Sequence, residues 1–269
     1  ALGVPWKQIE RQLDPLMLIR SKAKEVYNGH VPVSLTYFFT SLLMAVLEDY
    51  RFVVFSNEAS SNAGNVSYLG MEINHQWSKS LECEQLVRRY LTAFVTSDVQ
   101  IFSLLRPLHE IEIVRRFVGY GNYFDLISSC NRNFVISSPQ PKTERGSYWC
   151  GSCPKCAFVF ALFAAFLPKQ QVCDIFGKNL FADETLLPLY QELLGLKGIK
   201  PFECVGLPEE VLLAFTEARA HGEWSDDVVM KWVIEHAWPD PLMIEHLKKE
   251  LFSVGDLSTV PERFRSCYS

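Results

Sequence analysis

No glycine-rich phosphate loop of the familiar kinds stands anywhere in these 269 residues: G-x-x-x-x-G-K-[ST], G-x-G-x-x-G and G-x-S-x-G are all absent. The signatures of Walker nucleotide binding, dinucleotide binding and the nucleophile elbow are therefore missing. Long hydrophobic runs are missing too. The longest, Cys156 to Leu167, has twelve residues, against roughly 20 for a bilayer span, and no signal-peptide pattern opens the chain. Positive charge is not in excess: 26 lysines and arginines face 31 aspartates and glutamates, giving a net charge of −5 and a pI near 5.7. A basic footprint for nucleic acid or anionic membrane is lacking, so neither is expected as a partner. Repeats and low-complexity segments are absent as well.

What the chain does have is apolar mass and cysteine. Hydrophobic residues make up 48% and aromatics 13%, the composition of a packed globular protein. Of eight cysteines, Cys150, Cys153 and Cys156 stand at C-x-x-C-x-x-C spacing, and Cys130 precedes them with nineteen residues between. Thiolates at this spacing converge on one centre when the turns between them fold inward, and Gly151 and Pro154 supply that turn chemistry. Four sulfurs make a closed tetrahedral zinc site that holds a fold and leaves no position for a reacting water. Four reduced, unrelated thiols and an iron–sulfur cluster are the competing readings. A metal-type cysteine cluster without a secretory signal points to a reducing, cytoplasmic setting.

The patterning alternates strands and helices as far as residue 128. Trp6 to Leu13 reads as a strand and Leu16 to Val26 as a helix. Helices are expected over 35–47, 81–95 and 111–120, and strands over 51–55 and 99–104. Arg51 to Phe55 is apolar without alternation, as a buried parallel strand is. From residue 129 onward the pattern is a metal loop and then helices: 157–167, ended by Pro168, followed by 172–176, 184–194, 209–221, 228–237 and 241–252. The order predicts an open, mainly parallel α/β sheet over residues 1–128, with a four-cysteine metal knuckle and a helical region over 129–269.

Polar clusters fall at the ends of these elements: Asn28-Gly29-His30, Ser56-Asn57-Glu58, and Asn74-His75-Gln76 with Ser78 and Lys79. Loops at the carboxyl ends of parallel strands gather on one edge of a sheet, where ligands bind. Two imidazoles, an ammonium and a carboxylate are the groups needed for general acid–base work and for holding an anion. His75 and Lys79, four apart, would share a face if helical. Arg106, before Pro107, can clamp phosphate through its forked guanidinium. Cys204 is a candidate thiol acid–base, against the commoner reading of a buried free cysteine.

Beyond these separate groups, the chain resembles known families in several ordered stretches. The cysteine pattern is similar to the zinc site of 7-cyano-7-deazaguanine synthases, which are PP-loop ATP pyrophosphatases. A closer resemblance is to the UDP-N-acetyl-α-D-muramoyl-L-alanyl-L-glutamate epimerase family, itself PP-loop-like. It is carried by Asn28-Gly29-His30-Val31-Pro32-Val33, Ser56-Asn57-Glu58, Asn74 to Glu82, Phe102 to Leu108, Ser129-Cys130-Asn131, Trp149 to Phe160, Ile175-Phe176-Gly177 and Lys200-Pro201-Phe202-Glu203-Cys204-Val205-Gly206. The resemblance implies a PP-loop-type fold and an ATP- and Mg²⁺-dependent epimerase. Such an enzyme inverts the terminal L-glutamate of UDP-MurNAc-L-Ala-L-Glu through an acyl-adenylate and releases AMP and diphosphate. On that reading His75 and Lys79 carry protons, with His30 and Cys204 in reserve. Ser56, Asn57, Glu58 and Arg106 meet the nucleotide or Mg²⁺, and the four cysteines hold a structural zinc. A different ATP-pyrophosphatase-type ligase or amidating enzyme, and a zinc-stapled binding module without turnover, are the alternatives. The family's glycine-rich pyrophosphate loop has no counterpart here, so an upstream segment carrying it is expected as a partner.

Overall fold

The computed structural model describes residues 3–12, 14–16, 32–134 and 148–269. Two short strands organise the first half. Strand β1 (Phe52–Phe55) runs parallel to a later strand over Gln100–Ser103, with Phe52 opposite Gln100 and Phe55 opposite Ser103. Parallel neighbours need a long crossover, and helix α2 (Leu81–Phe94) provides it. Helix α1 (Val33–Leu47) precedes β1 and packs on the same face of the pair as α2. Phe38, Leu42 and Ala45 of α1 meet Cys83, Val87 and Leu91 of α2 over Val53 and Ile101. Ser80 caps α2, its hydroxyl accepting from the Cys83 amide at 3.2 Å, as N-cap serines do.

Between β1 and α2 lies a feature that the sequence pattern did not signal, an antiparallel hairpin of β2 (Val66–Tyr68) and β3 (Met71–Ile73). Its turn is Leu69-Gly70, both at positive φ (50° and 77°), the backbone that two-residue hairpin turns demand. Leucine seldom takes this conformation, and so the dipeptide carries no recognisable turn signature. The strand over Gln100–Ser103 is β4.

The opposite face of the β1–β4 pair is covered by the chain's own C-terminal stretch. The Phe264 ring lies 5.1 Å from that of Phe52 and 5.0 Å from that of Phe102, and Val260 and Tyr268 are buried beside them. The Tyr268 hydroxyl donates to the Leu104 carbonyl. Among the described residues the parallel sheet has two strands, narrower than the open sheet expected. Residues 6–12, expected as a strand, have no regular structure and are exposed; only Trp6 and Ile9 among them are large apolar residues, too few to build a buried ladder. The helix expected from Leu16 lies almost wholly outside the described residues.

The second half is helical. Helix α3 (Glu110–Phe117) leads to it, and helix α4 (Pro154–Ala164) is its centre, with every residue from Cys156 onward buried. A helix apolar on all sides is a core helix. Around it stand α5 (Lys169–Phe176), α6 (Leu187–Leu193) and α7 (Pro208–Ala220), with α8 (Val228–His236) and α9 (Pro241–Leu251) outside. The Phe160 ring sits 5.1, 5.0 and 5.6 Å from those of Phe176, Phe181 and Trp224. Pro154, Pro208 and Pro241 occupy first helical positions, where the missing N–H costs nothing. Pro168, expected to stop α4, instead caps α5, because α4 has already ended at Ala164. No helix among the described residues is long and apolar enough to cross a membrane.

Candidate active site at the junction of the two halves

The four cysteines come together. Their sulfurs all lie within 4.8 Å of one another, with Cys153–Cys156 at 3.5 Å and Cys150–Cys156 at 3.7 Å. A tetrahedron of sulfurs about 2.3 Å from zinc has edges of about 3.8 Å, so the donor set fits a four-thiolate metal. Cys130, Cys153 and Cys156 are buried. Gly151 makes the turn possible at φ +65°, and a Cβ there would stand 2.6 Å from Cε of Lys178. Hydrogen bonds from Cys130, Cys153 and Cys156 pull the Cys150 thiol far below the ordinary thiol range, while Cys153 and Cys156 are pushed well above it. Four close sulfurs cannot all carry charge unless a cation sits among them. Among the described residues this is the one cluster of three or more metal-type ligands.

At the carboxyl ends of β1 and β4 the polar loops are tied by a single buried arginine. Arg106 is 4% exposed. Its Nη1 donates to the Glu58 carbonyl (2.9 Å) and Ser61 Oγ (2.8 Å), and its Nη2 to the Lys79 carbonyl (2.7 Å) and Glu84 Oε2 (3.2 Å). Asn57 Nδ2 donates to Ser103 Oγ at 3.1 Å, and Ser103 donates to Glu84 at 2.6 Å. Both terminal nitrogens of Arg106 are thus engaged in holding the Ser56–Asn62 and Asn74–Ser80 loops against β4. As a phosphate clamp it would have to abandon them. Ser56 is exposed and Glu58 half-buried.

His75 and Lys79 are not on a common α-helix. His75 lies in a turn and Lys79 ends a 3-10 turn over Trp77–Lys79, because α2 begins only at Leu81; the four-residue spacing therefore does not align them. His75 Nδ1 is hydrogen-bonded to Asn65 Oδ1, and its ring stands edge-on to Phe202 at 5.9 Å. Lys79 is half-buried. His30 lies outside the described residues.

The stretch Lys200 to Gly206 joins these loops to the cysteine knuckle. Asn65 Nδ2 reaches the Pro201 carbonyl (3.5 Å) and Phe202 meets His75. Glu203 Oε2 accepts from Asn131 (2.8 Å), next to Cys130, and from the Lys155 amide (3.3 Å), between Cys153 and Cys156. Gly206 passes so close to α4 that a Cβ would stand 2.6 Å from Cζ of Phe158. Cys204, half-buried, lies within electrostatic range of the Lys155 ammonium.

Sequence reasoning missed the charged cluster here. Lys155 Nζ stands 3.3 and 3.5 Å from the Glu110 carboxylate oxygens. Burial pushes the Glu110 carboxyl up to about 7 despite Lys155, and the nearby Glu58 and Glu210 carboxylates add to the rise. Burial also raises Glu210, against the Leu207 and Ile111 amides that it accepts from at 2.7 and 3.2 Å. Lys200 is lowered by burial. The one available signal was position: Glu110 opens α3 directly after the β4 loop, and Lys155 is a lysine inside the cysteine motif.

Two family models match the chain: the MurL N-terminal domain over residues 1–104 and the MurL C-terminal domain over residues 126–245. It is 39% identical to a UDP-N-acetyl-alpha-D-muramoyl-L-alanyl-L-glutamate epimerase of Micromonospora sp., over 97% of this chain and 57% of that protein. Proteins of the same name in Salinispora tropica and Xanthomonas oryzae pv. oryzae are 37% and 40% identical, over 98% and 91% of this chain and 56% and 54% of theirs. The chain therefore spans little more than half the length of these relatives. No solved structure matches it.

Proposed function

The chain belongs to the MurL family, and on that premise we propose that it is the catalytic, zinc-bearing portion of an ATP-dependent, cytoplasmic epimerase. The enzyme turns the terminal L-glutamate of UDP-MurNAc-L-Ala-L-Glu into D-glutamate in peptidoglycan precursor synthesis. The observation that carries the reading is that relatives 37–40% identical over 91–98% of this chain bear the name of that epimerase. The chemistry is coherent. The α-proton beside a free carboxylate is very weakly acidic, since one anion adjoins another. Adenylation of that carboxylate by ATP, the co-substrate, removes the charge and leaves an acyl group able to delocalise the carbanion. Carriers on opposite faces then take one proton and return another.

In this proposal His75, Lys79, His30 and Cys204 are the candidate carriers, and Ser56, Asn57 and Glu58 line the nucleotide and Mg²⁺ side. Arg106 acts as a positioning residue, holding the loops that carry Glu58 and Lys79. The four cysteines bind zinc, which staples Lys155 and, through Glu203, the Cys204 segment into place. The phosphate loop of a PP-loop-type fold is assigned, in this reading, to the further length that the relatives possess. Full-length protein incubated with ATP, Mg²⁺ and UDP-MurNAc-L-Ala-L-Glu, followed by hydrolysis and chiral chromatography, tests it. D-glutamate with AMP and diphosphate is expected. L-glutamate alone, with ATP turned over into a ligated or amidated product, would establish the rival ligase instead.

A further inference from the structure

We infer that Glu110 is one of the two proton carriers of the epimerisation, an inference that rests on the reading just given.

Most interior carboxylates among the described residues are saturated by structural partners. Glu84 accepts from Ser103 (2.6 Å) and pairs with Arg88 and Arg106; Glu112 pairs with Arg115 (2.6 Å) and Arg116 (2.7 Å). Glu210 uses one oxygen on the Leu207 amide and the other on that of Ile111, and Glu203 accepts from Asn131 and Lys155 N. Glu110 is different. Its partner is the Lys155 ammonium, at 3.3 and 3.5 Å, long for a charge-assisted hydrogen bond of about 2.7–2.9 Å. Its side chain is 16% exposed, whereas those of Glu84 and Glu112 are wholly buried.

The surroundings suit proton transfer. Glu110 opens α3 and is faced by Glu58 from the loop after β1, Lys155 from α4, Glu210 from α7 and Lys200 from the segment that carries Cys204. Burial and the two carboxylates raise its proton affinity until it titrates at about 7, where a carrier is effective in both directions. Ionised Glu110 takes the α-proton: the C–H bond breaks, an O–H bond forms, and the electron pair stays on the activated acyl group as an enolate. Cys204, which shares the Lys155 environment, gives its thiol proton to the other face of the carbon. Solvent then takes the proton from Glu110 and returns one to Cys204.

The test uses the full-length protein with ATP and Mg²⁺ in D₂O, offered the L-glutamyl and D-glutamyl dipeptides separately. Removing one of two carriers should slow interconversion by about 100-fold or more in E110Q. Wash-in of deuterium should fall for one diastereomer and persist for the other, an asymmetry that a merely structural residue would not produce. The wild-type rate should show a limb near pH 7 that E110D keeps and E110Q lacks, with zinc content unchanged in all three. Exchange in E110Q within about twofold of wild type for both diastereomers, with the limb intact, would overturn the inference and leave the epimerase standing. A wild type inert toward both dipeptides would overturn the epimerase reading and this inference with it. Should E110Q fail to fold, carboxyl ¹³C NMR of the wild type decides: a glutamate titrating near 7 that moves on dipeptide binding supports the assignment, and its absence refutes it.

Discussion

The two halves of this molecule solve the same packing problem differently. The helical half encloses its core: α4 is covered on every side, and Phe160, Phe181, Phe215 and Trp224 have no exposed surface. The α/β half covers one face of a two-stranded sheet with its own α1 and α2 and leaves the other face to Val260, Phe264 and Tyr268. The outer sides of those helices carry Tyr37, Phe39, Leu43, Tyr90 and Phe94, all 45% exposed or more. A four-cysteine knuckle and aromatic rings knit the helical half together, whereas the α/β half adds to a smaller apolar core the polar ties through Arg106. Of the described residues proposed for chemistry, His75 and Cys204 lie on loops between the two halves and Glu110 opens α3 there.

Removing the metal should break the comparison most severely. Structural zinc contributes about 10 kcal/mol or more of apparent free energy, so chelation or Cys153→Ser should abolish much of the helical circular dichroism. A chelator that leaves the spectrum and melting unchanged would show that the knuckle needs no metal. Next comes Phe160→Ala, which should cost about 3–5 kcal/mol in urea unfolding, because its cavity lies among rings that cannot collapse. Arg106→Met should cost a similar or slightly smaller amount, about 3 kcal/mol, by stranding Glu84. Adding Glu84→Gln should then cost much less than it does alone; strict additivity would mean that the network is not one unit.

A smaller effect concerns pH. A carboxyl whose pKa rises on folding contributes stability that is present below about 4.5 and lost as pH climbs through about 7. E110Q should therefore lose less stability than wild type between those values, measured by denaturant midpoints. The least effect is expected at the exposed apolar face: Phe94→Ser should change stability by no more than about 0.5 kcal/mol. A large loss there would mean that this face is already buried in solution.

The helical half was the more legible in the sequence. Gly, Pro and polar breaks punctuate it, so every helix after Cys153 begins and ends within a few residues of its expected place. The cysteine cluster was legible for a chemical reason, since few uses exist for four thiols at that spacing. The hairpin over 66–73 was not, because three-residue exposed strands joined by Leu-Gly carry neither alternation nor turn signature. The ties of Arg106 to Glu58, Ser61, Lys79 and Glu84 were not legible, since a sequence cannot say which groups surround a guanidinium. Glu110 and Lys155 escaped for a like reason. Forty-four residues lie between them, and only the packing of α3 against α4 in the folded chain brings them together.

The most direct test of the account is the isotopic and chiral identity of the glutamate made in D₂O by the full-length protein. The account predicts D-glutamate carrying deuterium at the α-carbon, formed only when ATP is present. D-glutamate that retains the original α-hydrogen, or L-glutamate carrying none of the solvent label, would contradict it.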